Sequence, residues 1–154
     1  MSMNWLTRIS DEMAVIPDFL AHYETELTAA RFEIKIHGNI EKNLAALPGI
    51  TEVRFGQLQE IEAVLNHLNI KLRQLRRKHF QKYLEAYNRE LTSRDAEKYV
   101  DGEQEVIDTE MVINIVALLR NKWLGVMKGL ENKSFGLSNI TKLRCAGMED
   151  VSVG

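Results

Sequence analysis

The chain has 154 residues, of which 45% are hydrophobic and 27% charged, and its formal net charge is −2. These values are those of an ordinary soluble protein long enough to bury a core within one domain. The single cysteine, Cys145, excludes a disulfide within the chain and indicates a reducing compartment. We expect its side chain to be a small buried apolar group.

Neither a signal peptide nor a membrane-spanning helix is expected from the sequence. Asp11 and Glu12 lie where a signal peptide would need its apolar segment. The longest apolar stretch, residues 111–119, is interrupted by Asn114 and is far shorter than the roughly 20 residues that span a bilayer. We therefore expect a cytoplasmic protein that makes no membrane contact.

An all-α fold is predicted, with residues 1–154 forming a single helical domain. The chain has two prolines and is rich in Leu, Glu, Lys, Ala and Ile. Residues 1–16 are expected to form an N-terminal arm, and residues 17–100 long helices. Pro17 suits the first turn of a helix over 17–47, which Gly38-Asn39 would kink or break. Pro48-Gly49 predicts a turn.

The centre of the chain predicts a long helix that begins after Thr51, a suitable cap residue. Six apolar residues are spaced alternately by three and four, which is the pattern of a coiled-coil seam: Leu58, Ile61, Leu65, Leu68, Leu72 and Leu75. A helix continuing to about residue 91 would be roughly 60 Å long. It needs partner helices, either from its own chain as a hairpin or from neighbouring subunits.

The same helix carries a basic stretch, residues 71–82, which contains six cations and no acid. A clustered basic surface is typical of a polyanion-binding protein, although a solvated helix face remains the alternative. Phe80, Tyr83 and Tyr87 follow at helical spacing and suit either base stacking or a core stripe. The candidate DNA-contacting residues are Lys71, Arg73, Arg76, Arg77, Lys78 and Lys82.

Residues 101–150 are predicted to form an oligomerisation segment. A short polar helix around Ala96 precedes it, and the acids of residues 103–110 suit a helix N-terminus. Residues 111–119 are apolar on nearly every face, so we expect the helix over 111–130 to be covered on one side by its own chain and on the other by another subunit. A final short helix is predicted over 133–147, with Ser138 as its cap and Gly147 at its end. The candidate oligomerisation residues are Met111, Ile115, Leu119, Trp123, Met127, Ile140 and Leu143.

The sequence contains no pattern that predicts catalysis. His22, His37, His67 and His79 lack metal-site spacing. Lys133-Ser134 is not a phosphate-binding loop, because Asn132 stands where that motif needs glycine. We expect no cofactor, no metal and no enzymatic activity.

Three segments of the C-terminal third carry a resemblance to a known family: residues 121–130 (NKWLGVMKGL), 133–144 (KSFGLSNITKLR) and 146–150 (AGMED). Over residues 101–150 the chain resembles the UvsY family, the recombination mediators of T-even-like tailed bacteriophages. The family ends with a mostly apolar helix, a turn holding Lys, Ser or Arg with Gly and Phe, a short helix and an Ala-Gly tail. Upstream, Lys71-Leu72-Arg73 fits the family's Lys-x-Arg motif.

The resemblance implies a helical homo-oligomer, expected as a ring, that binds single-stranded DNA. Its further partners would be a RecA-like phage recombinase and the single-strand-binding protein that it helps to displace. The location implied is the cytoplasm of an infected bacterial cell. The alternative is a coiled-coil interaction or scaffold protein that does not bind nucleic acid.

Overall fold

Five α-helices form the part of the chain that the computed structural model describes, residues 4–85 and 92–147. The predicted all-α fold is confirmed, because no strand occurs in those ranges. A short 3-10 turn, Met13–Val15, joins the first two helices. The helices are α1 (Trp5–Asp11), α2 (Ile16–Ile34), α3 (Ile40–Glu85), α4 (Ser93–Asp101) and α5 (Gln104–Cys145).

Helices α3 and α5 form a long antiparallel hairpin. Near its turn, Arg76 of α3 pairs with Glu110 of α5, and near its other end Leu47 and Leu130 line one groove. The predicted apolar seam is confirmed in α3, where its first four residues are buried and the last two are half-buried. The buried four are Leu58, Ile61, Leu65 and Leu68.

Helix α2 is the third member of the bundle and packs against both long helices. The ring of Tyr23 packs edge-on against Trp123 of α5, with centroids 5.1 Å apart. The Tyr23 hydroxyl donates a hydrogen bond to Glu60 of α3. Burial and the neighbouring Glu60 raise the pKa of Tyr23, so this hydroxyl stays protonated and keeps its donor role.

The residues expected to form an N-terminal arm pack onto this core. In α1, Trp5 and Ile9 are buried, and the Trp5 ring lies 5.8 Å from that of Phe19. The predicted break at Gly38-Asn39 is confirmed. Gly38 has a φ of +74°, a conformation that favours glycine, and the Asn39 side chain caps α3 by accepting from the Lys42 amide at 3.1 Å.

Two predicted helix boundaries are wrong. Pro48-Gly49 lies inside α3 and not in a turn, so Thr51 caps nothing. Proline removes one backbone hydrogen bond, but buried Ile40 and Leu47 hold that end of α3 against the bundle. The predicted short C-terminal helix is likewise the last part of the continuous α5, in which Ser138 is an interior residue.

Two further sequence expectations concern chain ends. Cys145 is exposed, so its predicted burial is wrong. It lies in the last turn of α5, where residues 141–147 are all exposed. The predicted continuation of α3 to residue 91 lies outside the described residues. Within the described ranges, no helix is both long and apolar enough to cross a membrane.

Candidate nucleic-acid interface

The basic stretch forms the distal half of α3, beyond the part that α2 covers. Arg73, Arg77, Lys78 and Lys82 are exposed, and Lys71 and Arg76 are half-buried. Four of the six form no ion pair with any described residue. Because their charges are not neutralised by neighbouring carboxylates, they are available to a polyanion. These four, the outer cations, are Lys71, Arg73, Arg77 and Lys78.

Arg76 is instead held by acids from the turn of the hairpin. Its Nη2 lies 2.7 Å from Oδ1 of Asp101 in α4, and its Nη1 lies 3.6 Å from Oε1 of Glu110 in α5. Both carboxylates are about half exposed or more, so each pair adds little stability. Their effect on the surface is larger, because they neutralise Arg76, whose guanidinium faces α4 and α5.

His79 is buried between two further acids of the same turn. Its Nε2 lies 3.1 Å from Glu105, and its Nδ1 lies 3.7 Å from Glu103. Glu103 also accepts a hydrogen bond from Tyr83 and lies 3.6 Å from Lys82. The Tyr83 hydrogen bond and the nearby Lys82 charge lower the pKa of Glu103 and keep it ionised. Glu103 and Glu105 therefore contact the side of the basic stretch that faces the start of α5, which we call its inner edge.

Of the aromatic residues at the distal end of α3, Phe80 lies within the basic stretch and Tyr83 lies directly after it. Tyr83 stacks on Tyr99 of α4, with centroids 5.2 Å apart and planes 25° apart. Phe80 is half-buried and lines a small cleft with Arg76, Arg77, Glu97 and Val100. Tyr87 lies outside the described residues. The core interpretation is therefore favoured for Tyr83, whose ring and hydroxyl are both occupied within the chain.

The acids of residues 103–110 are predicted from the sequence to complement the dipole at the start of α5. The structure adds a second role, since Glu110, Glu105 and Glu103 of this segment contact Arg76, His79 and Lys82, respectively. This contact could have been predicted from the sequence. An antiparallel helix hairpin brings the basic stretch near the end of its first helix beside the acidic residues at the start of its second helix.

The apolar surface of α5 is divided between the core and solvent. Leu119 and Trp123 are buried in the core of the single chain, so neither belongs to an outer oligomerisation face. Their burial comes from the α2–α3–α5 bundle, in which Trp123 meets Tyr23. Met127 and Ile140 are half-buried against the core, and Leu143 is exposed.

One side of α5 keeps an exposed apolar ridge, which we define as Met111, Ile115 and Leu118. These side chains are 59%, 49% and 56% exposed, respectively. Their spacing of four and three places them on one helix face. An apolar groove of about 1040 Å³ lies elsewhere along the hairpin, with Leu44, Phe55, Leu124 and Met127 in its walls. An exposed ridge and groove of this kind are typical of interaction surfaces.

Comparisons with protein-family models, with curated proteins and with solved structures found no match to this chain. The resemblance to the UvsY family therefore stays a prediction from the residues quoted above.

Proposed function

We propose that this protein binds single-stranded DNA through the distal half of α3 and acts as a recombination mediator. The observation that carries the proposal is the set of outer cations, Lys71, Arg73, Arg77 and Lys78. They lie within about two helical turns and are exposed or half-buried, with no carboxylate partner among the described residues. Phosphate contacts of this kind supply affinity without sequence preference.

A single patch of four cations binds weakly at physiological salt, so the proposed function includes self-association. The apolar ridge of α5 supports it, because Met111, Ile115 and Leu118 expose apolar surface that a second subunit would cover. Repeating the patch around a homo-oligomer, in a ring for example, converts weak contacts into tight binding through effective concentration.

The resemblance over residues 101–150 supports the more specific part of the proposal. A UvsY-like mediator would assist a RecA-like recombinase to load on DNA that single-strand-binding protein covers. Such a protein would work in the cytoplasm of an infected bacterial cell. The match of Lys71-Leu72-Arg73 to the family's Lys-x-Arg motif falls on two of the outer cations.

The test is a titration of labelled single-stranded DNA at low and high salt with the parent and a Lys71→Ala, Arg73→Ala double variant. We expect the double variant to bind every sequence more weakly. Its plot of log affinity against log salt should be flatter by about 0.7 for each lost phosphate contact. The matched control is Arg94→Ala, Lys98→Ala, which likewise removes two positive charges, from exposed positions on α4 outside the basic stretch and outside residues 101–150.

Equal binding by the parent and the Lys71, Arg73 variant would contradict the assignment to α3. A parent that binds no single strand at low salt would contradict the proposed function. Stimulation of a RecA-like recombinase on DNA covered by single-strand-binding protein tests the mediator role separately. The control variant should stimulate as the parent does.

A further inference from the structure

A second basic and aromatic site lies at the opposite end of the bundle from the outer cations. It is a cleft of about 330 Å³ between the end of α2 and the first turns of α3. Lys42, which lines it, lies 29 residues before Lys71 on α3, a distance of about 44 Å along the helix. The two sites are therefore separate on one protomer. The lining residues that matter here are Phe32, Glu33, His37, Lys42 and Lys133.

The mouth of the cleft carries two aromatic rings. Phe32 is 58% exposed, although it is one of the larger apolar side chains of the protein. Its ring centroid lies 4.8 Å from that of His37, and the planes are 42° apart, so the two rings do not close into a parallel stack. An exposed aromatic face beside cations is the usual platform for an unpaired base.

The segment that carries His37 is held in place by its own hydrogen bonds. The Asn43 side chain donates to the His37 carbonyl at 2.9 Å and to the Asn39 carbonyl at 2.7 Å. Asn39 in turn caps α3. His37 therefore sits on a hydrogen-bonded connection between α2 and α3, and Phe32 sits on the last turn of α2, so a ligand would not have to order the backbone of either residue on binding.

The charge of the cleft is positive. Its only acid among the lining residues, Glu33, is already paired with Arg54. Lys42 is exposed and has no ion pair with a described residue. Lys133 is 7% exposed and donates one hydrogen bond, to the Glu33 carbonyl at 2.6 Å. An ammonium group has three donors, so Lys133 keeps two that no described residue accepts.

We propose that this cleft binds one nucleotide unit of the single strand, with the base against Phe32 and His37 and the phosphate near Lys42 and Lys133. The inference rests on the proposed binding of single-stranded DNA and adds a second contact to it. Stacking on an aromatic residue and neutralisation of phosphate are the two interactions that proteins combine for unpaired strands. The cleft offers both within one small volume.

The test uses Phe32→Trp as a fluorescent reporter. The two native tryptophans are buried, Trp5 at 6% and Trp123 at 0% exposure, so a tryptophan at position 32 would be the accessible one. We expect oligothymidylate to quench its emission as the strand binds. The matched control is Phe135→Trp, because Phe135 is 61% exposed on α5 and does not line the cleft.

The affinity of the strand is measured in parallel with Phe32→Ala and Phe135→Ala. Loss of base stacking should weaken binding about 5- to 150-fold in Phe32→Ala and leave Phe135→Ala like the parent. Two results would overturn the proposed nucleotide site: an emission of Phe32→Trp that the strand does not change, or a parental affinity in Phe32→Ala. If binding still depends on Lys71 and Arg73 in that case, the proposed function remains intact. Absence of strand binding by the parent would overturn both.

A third titration uses thymidine monophosphate in place of the strand. The strand should quench Phe32→Trp at a lower nucleotide concentration than the free monophosphate, because its other contacts hold it to the protein. If the monophosphate instead quenches at a lower nucleotide concentration than the strand does, the cleft is a site for a free nucleotide, and its proposed role in strand binding is overturned.

Discussion

At the scale of single residues, Arg54 shows how strongly one buried cation ties α3 to α2. Arg54 is 7% exposed, and its guanidinium donates to Glu26 at 2.6 Å, to Gln57 at 2.9 Å and to Glu33. Arg54→Ala would leave two partly buried carboxylates without their cation. We expect the free energy of unfolding to fall by about 2–3 kcal/mol, less than for a fully buried pair because both acids keep some solvent contact. Urea unfolding measures this, with the exposed Arg31→Ala as the control.

The same network sets a pH dependence. The hydrogen bond from Arg54 is the largest cause that lowers the pKa of Glu26 from its ordinary 4.5. A lowered folded-state pKa stabilises the protein above pH 4.5, and this contribution is lost as the pH falls through the folded value. The parent should therefore lose stability on acidification more steeply than Arg54→Ala. If stability falls with the same slope in the parent and in Arg54→Ala as the pH is lowered, this expectation is contradicted, because protonation of Glu26 would then not be coupled to folding through Arg54.

The division of apolar residues on α5 shows what the sequence could not predict at this scale. Residues 111–119 are apolar on nearly every face, so their spacing alone does not separate core from surface. The face that α5 turns toward the bundle decides it. Val116 and Leu119 are buried in the core, whereas Ile115 and Leu118 of the same stretch are turned away from it and are exposed.

At the scale of elements, two glycines of the long helices have opposite expected effects. A Cβ added at Gly56 of α3 would meet nothing within 4 Å. Gly56→Ala should stabilise the protein by about 0.5–1 kcal/mol, since it removes the entropic cost of glycine in a helix. A Cβ at Gly129 of α5 would lie 2.7 Å from Cδ1 and 3.1 Å from Cγ2 of Ile34. Rotating one end of Ile34 cannot relieve both contacts, so Gly129→Ala should be destabilising.

Urea unfolding of both variants at one protein concentration measures the two effects, because self-association would otherwise shift the midpoints. A Gly129→Ala variant that is as stable as Gly56→Ala would mean that α2 can move away from α5 without loss.

Sequence patterns predicted the elements better than their ends. The alternating three-and-four spacing around Leu65 and the break at Gly38 depend on local chemistry, and both are present in the structure. Pro48-Gly49 and Ser138 are ordinary signals of helix ends, but the packing of α3 and α5 along their lengths carries both helices through these positions. Tertiary contacts of this kind are invisible to a local pattern.

At the scale of the whole molecule, a nearly neutral chain presents an uncompensated basic surface on the distal half of α3. The net charge of −2 does not reveal this surface, because it sums acidic and basic residues over the whole chain. Acids from residues 101–110 pair with Arg76 and Lys82 and contact His79 on the inner edge of the basic stretch. The charges of the outer cations are not neutralised in this way. A surface that binds the successive phosphates of a strand requires such free positive charges.

The last prediction joins the basic surface to self-association through the apolar ridge. Ile115→Glu and Leu118→Glu place a charge where the proposed subunit contact would bury it, at a cost of several kcal/mol. Because both residues are about half exposed, the helices of the monomer should remain intact. Leu119→Glu is unsuitable for this purpose, since Leu119 lies in the core. The matched control is Val53→Glu, which is 53% exposed on α3 and away from the ridge.

Native mass measurement should find an oligomer for the parent and for Val53→Glu, and monomers for the two ridge variants. Each monomer keeps its outer cations, but neighbouring patches no longer share one strand. Affinity for a long single strand should therefore fall by a factor of about 100 or more, with a shallower salt dependence. Affinity for a strand too short to reach a second protomer should stay the same. Undiminished affinity of a monomeric ridge variant for the long strand would show that one protomer holds the whole DNA site.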